Sequence, residues 1–283
     1  MEIGIFAKTF ARPTLGEVLD AVTAHGLHVV QFNLACAGLP SMPEMIEPAL
    51  AATIREALAT RGITMAAVSG TFNMTHPDLA QRRAGLARLQ VLAAACADLG
   101  TGRITLSTGT RNAENMWAAH PDNQSADAWA DLLAAMAAAV RIAEAAGVTL
   151  AFEPEVSNVV DSALRARQLL DEIRSPRLKV VMDGANLFHA GELPQMTRIL
   201  REAFDLLGSD IVLAHAKDLS HDGAAGHEAA GQGVLDYDLY LRLLHDSGYR
   251  GPLILHGLSE AQVDDSVIFL RAKLADAESV NSR

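Results

Sequence analysis

One feature limits what this chain can fold into more than any other. A short apolar run of strand length is followed by a longer segment with helical spacing, and this pattern recurs eight times. The runs fall at residues 3–6, 28–34, 63–69, 103–107, 149–155, 178–183, 211–217 and 253–256. The helical segments between them carry their own boundary signals. Thr14-Leu-Gly-Glu17 has the composition of a capping box and opens a helix running to Gly26. Further helices are expected over 47–60, over 79–99 closed by Gly100, and over 126–146 ended by Gly147. The remaining ones are 159–173, broken by Ser175-Pro176, then about 195–207 and 237–247, with Ser259-Glu-Ala-Gln262 capping the last.

Regular strand–helix alternation of this kind predicts an α/β protein, a closed (β/α)8 TIM barrel, in preference to an open doubly wound sheet. A chain of 283 residues fits one such barrel, which typically uses about 250. No linker or low-complexity segment divides it. The expectation is a single domain over residues 1–275 and a flexible C-terminal tail over 276–283.

Several function classes are disfavoured at once. A net charge of −11 and a pI near 5.3 argue against a nucleic-acid partner, since phosphate binding draws on a Lys/Arg excess. Cys36 and Cys96 are too few for a disulfide framework, and a reduced, cytoplasmic setting is the simpler reading. The N-terminus lacks a basic region followed by a long apolar run, so no signal peptide is expected. The longest uncharged helical run, 132–140, falls short of the roughly 20 residues a bilayer needs, so no membrane association is expected. The glycines form no dinucleotide fingerprint, because Gly231-Gln-Gly233 lacks the third glycine and the following helix.

The chemistry gathers at strand ends. In Thr149-Leu-Ala-Phe-Glu-Pro-Glu155, alternation puts Ala151, Glu153 and Glu155 on one face and Leu150 and Phe152 on the other. Three later runs also end in polar residues, Asp183, His215 and His256, at intervals of 30, 32 and 41 residues from Glu153 onward. Taken singly, Asp183-Gly184 reads as a turn and each histidine as a satisfied rim residue. Four strand ends that agree, in a fold that builds its active site there, read instead as a metal centre. Carboxylate oxygens with imidazole nitrogens suit Mn²⁺, Zn²⁺, Co²⁺ or Fe²⁺ better than Ca²⁺.

These stretches resemble the xylose isomerase-like barrel superfamily of sugar (phosphate) isomerases and epimerases. The resemblance rests on Leu150-Ala-Phe-Glu153-Pro-Glu155, Val181-Met-Asp183-Gly-Ala-Asn186, His215-Ala-Lys217-Asp218, Gly231-Gln-Gly233-Val-Leu-Asp236-Tyr237 and Gly248-Tyr-Arg-Gly-Pro-Leu-Ile-Leu-His256. It implies a divalent-metal isomerase or epimerase acting on a small sugar or keto-polyol through an enediolate. A dehydratase of the same barrel is the nearest rival. A non-catalytic sugar-binding relative is a third reading, and endonuclease IV-like repair a weaker one.

Carried over residue by residue, the resemblance makes Glu153, Asp183 and His215 metal ligands, with Mn²⁺ the leading ion and Zn, Co, Mg or Fe the alternatives. The fourth position departs from the family, with His256 where those epimerases have a glutamate. Asn186 stands where many relatives have histidine. An imidazole that binds metal through one nitrogen has no lone pair left there, so ligand and base are alternative roles for that atom of His256. Glu153 is the expected carboxylate base. Glu155, Asn186, Lys217, Arg111 and Trp117 are the expected substrate contacts. The latter two sit in a long loop over 108–124, read as a lid that also holds His120 and Asn123. His227 and Glu228 are weaker candidates, and Phe6, Asn33 and His76 are expected as pocket wall. A homo-oligomer is expected by analogy with other barrel enzymes.

Overall fold

The computed structural model describes residues 1–281, with side chains through Asp276. Nine strands are present among them: β1 Ile3–Phe6, β2 Val29–Phe32, β3 Thr64–Ser69, β4 Arg103–Ser107, β5 Thr149–Glu153, β6 Leu178–Asp183, β7 Ile211–Asp218, β8 Glu228–Ala229 and β9 Leu253–Leu255. Eight run parallel in the order β6-β5-β4-β3-β2-β1-β9-β7, and pairing of β6 with β7 closes the ring. The two-residue β8 lies antiparallel on the end of β7. Around the ring stand α1 Leu15–Ala24, α2 Pro48–Ala59, α3 Leu79–Leu99, α4 Ala126–Ala146, α5 Ala163–Ile173, α6 Met196–Leu207, α7 Tyr237–Asp246 and α8 Val263–Asn281. This is the closed eight-stranded barrel that the sequence pattern predicts.

Strand alternation divides the core into two shells. Outward residues such as Ile5, Val30, Val68, Ile104, Phe152, Met182 and Leu255 pack against the helices in one large apolar layer. Inward residues form a much smaller cluster of Phe6, Val29, Ala66, Ala67, Ala151, Val181, Leu213 and Ile254. Space inside the ring is tight at Gly4, where an added Cβ would come within 2.6 Å of the Val29 carbonyl oxygen and 2.7 Å of Ile254 Cδ1. Above this apolar plug the inward positions turn polar, with Gln31, Thr105, Ser107, Glu153, Asp183, His215 and Lys217. The plug therefore lies beneath a polar mouth at the C-terminal strand ends.

Local signals account for most element ends. Thr14 and Glu17 form the expected reciprocal cap of α1. Asp78 and Ser125 cap the long helices α3 and α4, and both helices stop at left-handed glycines, Gly100 and Gly147. The Ser259–Gln262 box opens a single 3-10 turn that leads into α8.

Three details differ from expectation. α5 begins at Ala163, capped by Ser162, and not at residue 159. Val159 and Val160 are instead buried loop residues that donate to the Gly109 carbonyl and the Thr108 hydroxyl. The β8 hairpin was not legible in the glycine- and alanine-rich loop. Of the tail expected over 276–283, residues 276–281 belong to α8, and 282–283 lie outside the described residues. Among those residues, no helix is long and apolar enough to cross a membrane.

Candidate active site

The barrel mouth opens into a cavity of about 880 Å³, within the usual range for small-molecule sites. Phe6, Gln31, Glu153, Glu155, His215, Lys217, His256 and Trp117 are among its lining residues. Register explains the convergence. Asp183 pairs directly with His215, and His215 with Ile254, so β6, β7 and β9 present their polar ends at one level.

His215 is the hub. Its Nδ1 lies 3.5 Å from Glu153 Oε1 and 3.7 Å from Asp183 Oδ2. On the other side, Nε2 meets Gln31 Oε1 at 2.8 Å. The His256 ring stacks on that of His215 at 4.9 Å and 14°, and Phe6 stacks on His256 at 5.1 Å. Lys217 reaches in beside them, its Nζ 3.2 Å from Asp183 Oδ2 and 3.9 Å from Glu153 Oε1.

Three buried atoms here lack a well-directed hydrogen-bond partner: His215 Nδ1, His256 Nδ1 and Asp183 Oδ2, the last with the Lys217 ammonium 3.2 Å away as an ion pair. Such orphans are costly in a folded interior unless something else satisfies them. Each belongs to a residue of the one acid–histidine group whose donor atoms lie within 4.8 Å of one another among the described residues. Two imidazoles and a carboxylate, with Glu153 adjacent, make a donor set that fits a first-row divalent cation.

The charges reinforce one another. Burial favours a neutral Asp183, but the Lys217 ammonium and then His215 outweigh it and hold the carboxyl below its usual range. Burial opposes a charged His215, yet Glu153 and Asp183 push it up to about 9. Burial, and after it the charge of Lys217, push His256 well below the usual imidazole value. Burial and the negative charge of Glu153 push Glu155 up to about 7. Lys217 is raised despite its burial, because Asp183 and Glu153 face it.

The other expected site residues divide. Glu155 lies past the end of β5 and still lines the cavity. Trp117 lines it too, at the rim, 56% exposed. Asn186 is fully buried beneath the mouth; its amide donates to Glu153 and accepts from the Gly226 amide at 2.7 Å. Arg111 points away: it pairs with Asp131 at 2.7 Å, in a separate surface depression with Pro77 and Asp127. Asn123 fastens the base of the long loop, accepting from Thr110 and Arg111 and donating to Ser157. His76 holds the Ala113 carbonyl in the same loop and does not line the cavity. His227 bonds to Ser220, which also bonds to Glu228, away from the cavity.

Gln31 and Asp218 shape the mouth, although sequence reasoning assigns neither a role. Gln31, the single polar residue of β2, points inward, and that parity was the available signal. Asp218 is buried at the end of β7 and accepts from the backbone amides of Leu219, Gly231 and Leu235, which ties the following loop to the strand.

A sequence model of the xylose isomerase-like TIM barrel family matches residues 19–273. The chain belongs to that family. No curated protein is a significant match to it. Several solved structures superpose over nearly its whole length. An L-ribulose 3-epimerase is 18% identical with a TM-score of 0.75, covering 100% of this chain and 97% of its own. A 3-keto-D-glucoside 4-epimerase from E. coli is 17% identical with a TM-score of 0.69, covering 96% and 99%. A probable 3-DHS dehydratase from Bacillus anthracis is 12% identical with a TM-score of 0.73, also covering 96% and 99%. At these identities the likeness is one of fold.

Proposed function

We propose that the protein is a divalent-metal-dependent isomerase or epimerase that moves a proton next to the carbonyl of a small sugar or keto-polyol. The observation that carries this reading is the convergence of Asp183, His215 and His256, whose donor atoms lie within 4.8 Å of one another and which each hold a buried atom without a hydrogen-bond partner, with Glu153 Oε1 3.5 Å from His215 Nδ1. Glu153, Asp183, His215 and His256 would hold the cation, Mn²⁺ in the first instance. When bound, such an ion polarises a carbonyl and stabilises negative charge developing on its oxygen.

The remaining work belongs to the chain. Glu153 is the base that takes the proton from the carbon beside the carbonyl, with Asn186 fixing its orientation from below. Lys217 and Glu155 face the same cavity and hold substrate oxygens, while Trp117 at the rim shields the mouth from water. Both epimerases and a dehydratase occur among proteins of this fold, which supports chemistry that begins with the same proton abstraction. Cys36 and Cys96 are free and buried, in keeping with a reducing, cytoplasmic setting.

A dehydratase is the second reading, and His256 favours it. Its Nδ1 is buried without a hydrogen-bond partner, and its ring is sandwiched between Phe6 and His215 within the acid–histidine group, an arrangement that suits a ligand. One carboxylate base on one face of the substrate suffices for isomerisation or elimination, whereas epimerisation needs a second group to return the proton to the opposite face. The test is a screen of ketoses, inososes and sugar acids with Mn²⁺-loaded protein in D₂O, followed by NMR. Deuterium entering beside the carbonyl supports the reading, and loss of water identifies the dehydratase. Bound metal without exchange on any of these compounds would point to a non-catalytic sugar-binding protein.

A further inference from the structure

The fixed charges of the cavity do not cancel once a divalent cation is in place. Glu153, Glu155 and Asp183 bring at most three negative charges, while the cation, Lys217 and Lys8 bring four positive ones. His215 and His256 are neutral as ligands. A carboxylate at position 256 would remove the remainder, and an imidazole leaves it.

Lys8 is the cation without a counter-charge. It follows Phe6 in the turn Ala7–Thr9 and lines the cavity together with Thr9, Ser41 and Ser259. Among the described residues no carboxylate pairs with it, whereas Lys217 is held by Asp183 and the nearby Arg12 by Glu260. Its place is defined by a run of rings: Lys8 Nζ stands 5.5 Å from the Phe6 centroid, Phe6 stacks on His256, and His256 on His215. The ammonium thus shares a wall with the cation cluster but is set off from it by the Phe6 and His256 rings. A lone exposed lysine is ordinarily a solvated side chain. Lys8, though exposed, differs because it lines a concave site whose balance is positive, in a chain that is strongly negative as a whole.

We propose that the substrate carries an anionic group, a carboxylate or a phosphate, remote from its reacting carbons, and that Lys8 selects it. The inference rests on the metal-dependent sugar reading above and narrows its substrate class. The hydroxyls of Thr9, Ser41 and Ser259 line the same part of the cavity and can donate to an oxyanion.

The experiment compares D-fructose, D-fructuronate and D-fructose 6-phosphate, which share a ketohexose skeleton and differ at the terminal carbon. Each is titrated calorimetrically into Mn²⁺-loaded protein and into Lys8→Gln, with metal content measured on the same samples. One anion is expected to bind at least about tenfold tighter than fructose, and which one it is separates carboxylate from phosphate. That advantage should fall to within about threefold in Lys8→Gln and shrink as salt is raised, as a partly exposed ion pair requires. Equal binding of fructose and both anions, binding of none of the three, or an advantage that survives Lys8→Gln overturns the proposal. If the samples retain no metal, the underlying site reading fails; if metal is present without an anion preference, only this inference does.

Discussion

The imidazole of His215 donates through Nε2 to Gln31 Oε1 at 2.8 Å, and the Gln31 amide nitrogen donates in turn to Thr105 Oγ1 at 3.3 Å. Because the amide nitrogen is committed to Thr105, the amide oxygen is the atom that faces His215. In the neutral form that a cation requires, the proton is thereby placed on Nε2, and Nδ1, which faces Asp183 and Glu153, is left with its lone pair. Partners of this kind orient metal-binding histidines and are typically worth 10- to 100-fold in affinity.

Gln31→Leu, close in size to the native side chain, should therefore weaken metal binding by about 10- to 100-fold while leaving the circular dichroism spectrum unchanged. Competition with a fluorescent chelator measures it. Affinity within about threefold of the native protein would show that the amide does not set the tautomer.

His256 separates two roles by a single substitution. With Nδ1 as a ligand, His256→Asn should lower metal affinity and, with it, proton exchange in D₂O. Native affinity combined with slow exchange would make His256 a base instead.

Glu155 should make stability fall with pH. Its folded value of about 7 lies above the ordinary 4.5, so between those values the unfolded chain releases a proton that the folded chain keeps. Stability is lost across that window, and the whole penalty, on the order of 3 kcal/mol, is present above it. In chelator-treated protein, Glu155→Gln should raise Tm by several degrees at pH 8 and by much less at pH 5. An equal change at both pH values would mean that the carboxyl ionises normally.

Much of the architecture was legible because local signals were redundant. α3 and α4 were bounded correctly at both ends, since each begins at a capping Asp or Ser and ends at a glycine held at positive φ. β1, β4 and β6 were likewise read to the residue, as apolar runs between clear breaks. α5 was read too long because hydrophobic spacing does not distinguish Val159 and Val160, buried in a loop, from the first turn of a helix.

At the mouth, strand parity placed Glu153, Asp183, His215, Lys217 and His256 together, because parity in a barrel decides which side chains point inward. It had no hold on loop residues. Arg111 is drawn to Asp131 on α4, more than a helical turn into that helix, and nothing in the sequence marks the pairing. Lys8 was passed over for the same reason. It sits in a turn, and only the closed ring brings it alongside His256.

If Glu153, Asp183, His215 and His256 form one cation site, the protein holds a divalent ion in stoichiometric amount. Elemental analysis of protein loaded with Mn²⁺ and then desalted tests it most directly. One ion per chain is expected, lost in both Asp183→Ala and His215→Ala; native protein that holds none, or variants that both keep it, would contradict the proposed site.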